Sequence, residues 1–174
     1  LRAFARRNQA AQTNPRPMQF AGAGMPLGQP APVPGTEFGG GAAVSALQPK
    51  VPAGFDVAGF VKQARINFLR LQEANDRSDL DTLRDVCNDE MFATIKAEVE
   101  GRNGAPQHTH IDELDATLIE VVTEADNHFA SISFSGTSRD DKETDAQVFQ
   151  EIWHLQKSVA GNSGWQLAGI QQVS

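Results

Sequence analysis

The chain has 174 residues, a single cysteine and a formal net charge of −7. This length suits one domain with an appendage. The lone cysteine excludes an intrachain disulfide and a cysteine metal cluster. No apolar run approaches the roughly 20 residues of a membrane span. Residues 1–54 carry a charge of +4 and the remainder carries −11. An acidic globular part repels nucleic acid and anionic lipid, while the basic segment could contact either. No nucleic-acid partner is predicted.

Residues 1–54 are predicted to form a flexible basic linker. They contain 8 of the 9 prolines and 8 of the 15 glycines, and their scattered apolar residues bury too little surface to offset the entropy of ordering. The stretch LRAFARR at the start places Arg2, Arg6 and Arg7 beside apolar residues. Arginines just beyond a membrane helix mark its cytoplasmic side, although these residues alone favour a basic disordered start.

Residues 55–174 are predicted to form an ordered domain that begins with three helices. Asp56 is a plausible N-cap, and apolar residues then follow at steps of three and four. These residues are Val57, Phe60, Val61, Ala64, Phe68 and Leu71. Ser78, with Asp81 three residues later, resembles a capping box that starts a short second helix. A third helix, with an apolar stripe from Met91 to Val99, is predicted to end at Gly101.

After the loop RNGAPQ, the apolar period changes from that of a helix to that of a strand. HIDELDATLIEVVTEA predicts a long strand in which a bulge reconciles the apolar positions. A turn at Asp126 and Asn127 leads to the strand HFASISFSG, and SRDDKETD is predicted to be a charged turn. Two more strands follow in AQVFQEIWHLQKSV and WQLAGIQQV. The fold class is therefore α+β, with N-terminal helices packed on a curved four-stranded antiparallel sheet.

Few residues suggest catalysis, a metal or a cofactor. His108 and His110 point the same way on a strand, as a pair of metal ligands would, but an exposed polar strand end is the simpler interpretation, and no metal site is predicted. Cys87 has acidic neighbours that disfavour a thiolate, so a small buried residue is the better interpretation. The sequence contains no nucleotide-binding, hydrolase or metalloprotease motif, and no cofactor is predicted.

Glu151 is unusual because strict alternation places its carboxylate on an apolar strand face. That face also carries Phe149, Trp153 and Leu155. Three interpretations stay open: Glu151 lies at the lip of a pocket, it pairs with Arg65 or Lys62 of the first helix, or a bulge removes it from the face. Buried carboxylates are frequent in functional sites, but a structural ion pair is the favoured interpretation.

Three sequence blocks together resemble the Tim44-like domain family. They are FLRLQEANDRSDLDTLRD at 68–85, EIWH at 151–154 and WQLAGIQQ at 165–172. The family includes the membrane-proximal domain of the mitochondrial import-motor anchor and bacterial membrane proteins. Over residues 55–174 the resemblance implies a cone-shaped fold similar to nuclear transport factor two, with an apolar pocket between sheet and helices. It also implies association with the inner membrane and with proteins, and no catalysis.

The resemblance extends to the arrangement of the chain. Bacterial relatives carry membrane-spanning segments before a basic turn and a linker, so Arg2, Arg6 and Arg7 are expected beside the membrane. The domain is then expected on the cytoplasmic side of the bacterial inner membrane, attached through a segment that precedes this sequence. The pocket candidates are Phe60, Ala64, Phe68, Phe149, Glu151, Trp153, Leu155 and Trp165. The two tryptophans are expected to pack and shape the pocket; the face of the sheet that lines it stays open.

The predicted function is a non-enzymatic, membrane-tethered binding module with a protein partner, acting in membrane-protein assembly or translocation. One alternative is a carrier or sensor of an apolar small molecule or lipid in the cone pocket. A second alternative is an isomerase or dehydratase of the same fold. The isomerase design that places a tyrosine in the oxyanion hole is not available to this chain, because it contains no tyrosine.

Overall fold

The computed structural model describes residues 48–141 and 145–173. The elements in chain order are α1 (Val57–Asp76), α2 (Leu80–Val86), α3 (Asp89–Gly101), β1 (Thr109–Glu124), β2 (Asn127–Asp140), β3 (Gln147–Ser158) and β4 (Gln166–Gln172). The strands form one antiparallel sheet in the order β1-β2-β3-β4. The predicted α+β fold, with N-terminal helices on a four-stranded antiparallel sheet, is confirmed.

The N-cap of α1 is the predicted residue, whereas the N-cap of α2 differs from the prediction. The Asp56 carboxylate accepts a hydrogen bond from Gly59 N at 2.9 Å and so caps α1 as predicted. At α2 the cap is Asp79 and not Ser78, since Asp79 accepts from the Thr82 amide at 3.1 Å and from its hydroxyl at 2.7 Å. Ser78 has a φ of 58°, and an N-cap residue needs an extended backbone instead. The bonds from Thr82 hold the pKa of Asp79 below its ordinary value.

The long strand β1 contains the predicted irregularity, and it does so at two places. The pairing with β2 shifts between Ile111 and Glu113 and again between Leu118 and Glu120. Because the second shift resets the alternation, Leu118 and Val121 are both buried. One extra residue thus keeps two apolar side chains on the same face despite their odd spacing.

Two strand boundaries differ from the sequence prediction. Only Ala125 and Asp126 separate β1 from β2, so the turn lies one residue before the predicted pair Asp126 and Asn127. Strand β2 also continues past Gly136 to Asp140, where a charged turn was predicted. The partner strand explains the extension, since β1 supplies pairing residues along this whole stretch.

The core lies between the helices and one face of the sheet. Its largest fully buried side chains are Leu71, Leu83, Ile95, Ile132, Phe134 and Leu167. On β3 the helix-facing set contains Glu151 and Trp153, both buried, while Val148 on the opposite face is 83% exposed. This settles which alternating set of β3 faces the helices.

Each edge of the sheet meets a neighbouring segment. At β1, Lys50 N donates to Ile119 O at 3.1 Å and Lys50 O accepts from Val121 N at 2.7 Å, which forms a parallel bridge. At β4, the junction of α2 and α3 covers the edge, where Asn88 N donates to Leu167 O at 2.9 Å. Part of the backbone at both edges is therefore paired within the chain.

The ordered part of the chain begins before the predicted end of the linker at residue 54. Residues 48–54 fall in that linker, yet Lys50 bridges to β1 and Val51 packs beside Leu118. The free backbone groups of an edge strand explain this order, which a count of prolines and glycines does not detect. Arg2, Arg6 and Arg7 lie outside the described residues, as do residues 142–144 of the predicted charged turn.

Candidate functional site

An aromatic cluster joins α1 to the helix-facing side of the sheet. The Phe68 ring lies 4.7 Å from Phe134, 5.8 Å from Phe149 and 4.8 Å from Trp153, measured between ring centroids. Phe134 and Trp153 meet edge to face at 5.1 Å. Rings at these separations attract one another beyond the area that they bury. Through Phe68, the cluster therefore connects α1 to β2 and β3.

Trp165 forms a second aromatic group near the start of α1. Its ring meets Phe60 edge to face at 5.3 Å, and Phe60 lies 5.5 Å from Phe55. The His128 ring lies 6.3 Å from that of Trp165, measured between ring centroids. Trp165 is only partly buried, so it stands between the interior and solvent.

A small cavity lies between these two aromatic groups. Its volume is about 20 Å³, and it is lined by Ala64, Asn67, Leu71, Val86, Phe134, Trp153, Leu155, Trp165 and Leu167. A site for one water needs about 10–15 Å³, whereas small-molecule pockets enclose about 300–1,000 Å³. In this conformation the cavity therefore has room for a water-sized occupant.

The eight predicted pocket residues divide into three groups. Ala64, Trp153, Leu155 and Trp165 line the cavity. Phe60, Phe68 and Phe149 pack in the two aromatic groups around it. Glu151 lies on the same sheet face as Trp153 but outside the cavity lining.

The sequence interpretation missed five cavity residues. These are Asn67, Leu71, Val86, Phe134 and Leu167. The alternating apolar row of β2 contained the signal for Phe134, and the α1 stripe contained the signal for Leu71. Asn67 and Val86 carry no such signal, because their approach to the cavity depends on how α1 and α2 cross the sheet.

Glu151 is buried with a hydrogen bond at each carboxylate oxygen. Trp153 Nε1 donates to Oε2 at 2.9 Å, and Gln172 Nε2 donates to Oε1 at 3.0 Å. The favoured ion pair with Arg65 or Lys62 is wrong: the Arg65 guanidinium donates instead to the Leu114 carbonyl. Two neutral donors hold the carboxylate in place, so Glu151 joins β3 to β4 and fixes the Trp153 ring.

The four histidines lie near the surface, and three of them have polar partners. His110 Nε2 lies 2.7 Å from Asp141 Oδ1, His128 Nδ1 lies 2.7 Å from Thr123 Oγ1, and His154 Nδ1 lies 3.1 Å from Ser131 Oγ. The His108 and His110 rings stack edge to face at 4.9 Å. Within residues 48–141 and 145–173, no three His, Cys, Asp or Glu side chains are grouped to hold a metal ion.

The Cys87 thiol is buried where α2 meets β4. Burial raises the pKa of this thiol to about 12. Because the thiolate is the nucleophilic form, Cys87 stays a protonated packing residue at neutral pH.

The sequence profile of the Tim44-like domain matches residues 42–172, about three quarters of the chain. The chain belongs to the Tim44-like domain family. The predicted resemblance is thus confirmed. None of the curated proteins matches the sequence significantly.

Solved structures similar to this Tim44-like chain are distant in sequence. The intermembrane space region of the chloroplast protein ARC6 is 11% identical, with a TM-score of 0.48 over 66% of this chain and 96% of that one. An NTF2-like superfamily protein from Salmonella enterica is 11% identical, with a TM-score of 0.39 over 67% and 94%. A ketosteroid isomerase-like protein from Erwinia carotovora is 19% identical, with a TM-score of 0.37 over 69% and 99%. At these identities, none of their functions transfers to the Tim44-like chain.

Within the part of the chain that the structure describes, no helix combines the length and apolarity that a bilayer span requires.

A buried polar cluster joins the ends of α1 and α3 to the start of β1. The Asp76 carboxylate accepts from Thr109 N at 2.7 Å, Thr109 Oγ1 at 3.2 Å and Gln72 Nε2 at 3.1 Å. Arg102, just past α3, donates to the Asn75 carbonyl at 2.6 Å. Burial raises the pKa of Asp76, although the bonds from Thr109 and Gln72 oppose the rise.

The raised pKa of Asp76 predicts a pH-dependent stability. The folded protein holds the Asp76 proton more tightly than the unfolded chain, whose pKa is near 3.8. As pH rises from that value through the folded pKa, ionisation of Asp76 therefore lowers the free energy of unfolding. Asp76→Asn cannot ionise, so its stability relative to wild type should increase across this window in urea unfolding measured at a series of pH values.

Asp112→Asn is the matched control with the opposite sign. Arg139 donates to both Asp112 oxygens, at 2.7 and 2.8 Å, and lowers the pKa of Asp112. Ionisation of Asp112 raises the free energy of unfolding as pH rises through the lowered folded pKa toward 3.8. Over this pH range Asp112→Asn should therefore become less stable relative to wild type. A pH-independent difference between Asp76→Asn and wild type would contradict the role given to Asp76.

Proposed function

We propose that this Tim44-like chain is a non-enzymatic binding module, tethered to the inner membrane, that holds a protein partner for membrane-protein assembly or translocation. The observation that carries the proposal is the family match over residues 42–172. The coarser conclusion, a binding or accessory module, follows from family and fold together. The tether, the protein partner and the cellular side are the proposed parts.

The polar groups of the interior support a non-catalytic function. A general base has to lie within hydrogen-bond reach of the substrate, whereas Glu151 is buried outside the cavity lining, and Trp153 and Gln172 donate hydrogen bonds to its carboxylate. The Cys87 thiol keeps its proton. The cavity lining is apolar apart from Asn67 and the Trp165 and Trp153 indoles. This arrangement favours packing over acid–base chemistry.

The charge distribution supports a location on the cytoplasmic side. Arg2, Arg6 and Arg7 fall in the basic segment of residues 1–54, and the domain that follows is acidic. Basic residues next to a membrane span are retained on the cytoplasmic side. Three arginines near an anionic surface contribute only about 1 kcal/mol each, so a membrane-spanning segment has to supply the attachment.

Cell fractionation tests the tether. The natural protein, detected with an antibody against residues 55–174, should sediment with inner membranes and resist extraction by high salt. The 174-residue chain alone should stay in the supernatant with anionic vesicles. A natural protein that is released by salt would contradict the tether.

Protease accessibility tests the side of the membrane separately. Protease added outside intact spheroplasts should leave the domain uncut, and permeabilised spheroplasts provide the control. Digestion in intact spheroplasts would place the domain on the outer side of the membrane, and it would not contradict the proposed tether.

A second candidate function is carriage of an apolar ligand. The apolar lining of the cavity favours it, and this lining includes the partly exposed Trp165. Since the cavity is about 20 Å³, the Trp165 side chain has to move before a lipid fits. Native mass spectrometry after gentle purification distinguishes the candidates, because a retained lipid favours the carrier and a co-purified protein favours the binding module.

A further inference from the structure

The solvent-facing side of α1 exposes apolar side chains. Ile66 and Leu69 are 48% and 47% exposed, and among the described helical residues they are the large apolar side chains that face solvent. Phe68 and Leu71, on the opposite side of the helix, are buried in the core. A surface helix of a globular domain normally presents polar residues to solvent. The exposed pair therefore makes the outer side of α1 a candidate contact surface.

Basic side chains surround this apolar pair. We use the term α1 face for the exposed residues Lys62, Arg65, Ile66, Leu69 and Arg70. Lys62 lies about one turn before Ile66, and Arg70 lies about one turn after it. Arg65 is on the side next to β1, where its guanidinium donates to the Leu114 carbonyl. Because a carbonyl is uncharged, this bond leaves the positive charge of Arg65 in place.

The charge of the α1 face is opposite to that of the domain. Residues 57–72 contain three basic and no acidic side chains, whereas residues 55–174 carry a charge of −11. Glu73 follows in the next turn, but its carboxylate lies 2.7 Å from the Arg77 guanidinium. The nearest carboxylate along the helix is thus already paired. A locally positive surface selects a partner with a complementary negative surface.

We propose that the α1 face binds a helix of a partner protein whose own apolar stripe is flanked by Asp and Glu side chains. Two packed helices have their axes about 8–10 Å apart, so apolar residues of the partner helix would contact Ile66 and Leu69. Carboxylates on the two sides of its stripe would meet Arg65 on one side and Arg70 on the other. The inference gives a surface to the protein partner of the proposed function, and it rests on that function.

Other occupants match the α1 face less well. An anionic membrane attracts three cations only weakly, and it repels a domain with a charge of −11. Helices that lie in a membrane interface also use aromatic anchors, and the five residues of the α1 face include none. Residues 1–54 carry a charge of +4, so the cations of α1 repel them. A helix with carboxylates beside an apolar stripe complements both kinds of side chain.

Two synthetic helical peptides test the inference on the 174-residue chain by fluorescence anisotropy. Each peptide has about 20 residues, long enough to form a helix, and a leucine stripe. Glutamates flank the stripe in one peptide, and lysines flank it in the other. The chain should bind the glutamate peptide although the net charge of −7 repels it. This binding should weaken as salt is added, since salt screens exposed charges.

Variants of the α1 face locate the binding. Lys62→Glu and Arg70→Glu should each raise the Kd of the glutamate peptide at least about fivefold, because an attractive contact becomes repulsive. Neither variant should weaken binding of the lysine peptide. Leu69→Gln should raise the Kd about fivefold with an unchanged salt dependence, since it removes apolar contact and no charge.

Lys96→Glu is the matched control for net charge. Lys96 has an exposed side chain on α3, and its reversal should leave the Kd of the glutamate peptide unchanged. Circular dichroism checks that each variant is folded. A wild type that does not bind the glutamate peptide overturns the inference. Binding that all folded α1 variants retain also overturns it, because the peptide then uses another surface.

Vesicles of anionic lipid are the third probe. The 174-residue chain should stay in the supernatant when they are sedimented. If it sediments with them and both Lys62→Glu and Arg70→Glu prevent this, the α1 face is a lipid-binding surface and the inference is wrong.

Photo-crosslinking in cells separates this inference from the proposed function. A photoreactive residue replaces Leu69 in the natural protein, or Ala93, an exposed position on α3. Crosslinks from Leu69 should reach a helical segment of another protein that is rich in Asp and Glu. Crosslinks from Leu69 to a segment without acidic residues, or crosslinks to a partner from Ala93 alone, overturn the inference but do not contradict the binding module. The absence of protein crosslinks from both positions contradicts the binding module as well.

Discussion

Replacing Trp153 by alanine is expected to lower the free energy of unfolding by about 3–5 kcal/mol, the usual loss for a large aromatic side chain in a core. Trp153 is 3% exposed. The substitution removes its contacts with Phe68 and Phe134 and takes away the indole donor of Glu151. A buried carboxylate that loses a donor adds a desolvation penalty to the cavity. The expected loss is a large share of a typical free energy of unfolding, which is about 5–15 kcal/mol.

Denaturant unfolding measures this loss, and Trp153→Phe is the graded control. Phenylalanine keeps most of the ring contacts but cannot donate to Glu151, so its cost should be clearly smaller than that of alanine. The two variants separate packing from the hydrogen bond. If Trp153→Ala kept wild-type stability, Trp153 would not be the core residue that its burial indicates.

Leu83→Ala is expected to cost about 2–5 kcal/mol and to release α2 from the domain. Leu83 is 0% exposed and is the one buried residue of this seven-residue helix. Helices shorter than about 12 residues are marginal in water on their own, so α2 depends on this anchor. Its loss should also loosen the edge contact between Asn88 and Leu167.

Hydrogen exchange measured by mass spectrometry reports the local release. Amides of α2 should exchange much faster in Leu83→Ala, while those of α1 follow the global stability. Asp85→Ala, an exposed position on the same helix, should change stability by no more than about 0.5 kcal/mol. Equal acceleration in α1 and α2 would mean that α2 unfolds only with the whole domain.

Periodic apolar patterns predicted most of the fold. The stripe from Val57 to Leu71 predicted α1, and the row Ala130, Ile132 and Phe134 predicted the buried face of β2. These signals are local, because each element shows its own buried face in its own sequence. The same logic placed Glu151 on the apolar face of Trp153, which is where it lies.

Features that depend on pairing between distant segments were not predicted. Gln172 reaches Glu151 because β3 and β4 pair these residues across the sheet, and no local pattern gives that register. Asn67 lines the cavity only because α1 crosses the sheet there. The α2 cap at Ser78 was predicted wrongly for a different reason: serine and aspartate are both good capping residues, and the backbone conformation selects Asp79.

The parallel bridge at Lys50 determines how the domain responds to a pull on its N-terminal side. Two main-chain hydrogen bonds, to Ile119 and from Val121, hold this segment to the sheet edge. Because they lie before α1 in the chain, they bear such a pull first, and the six residues up to Asp56 can then span at most roughly 20 Å. Phe55 lies in this stretch and its ring packs 5.5 Å from that of Phe60, so a pull that breaks the bridge is transmitted to the aromatic group around Trp165 before it reaches the cluster around Phe68.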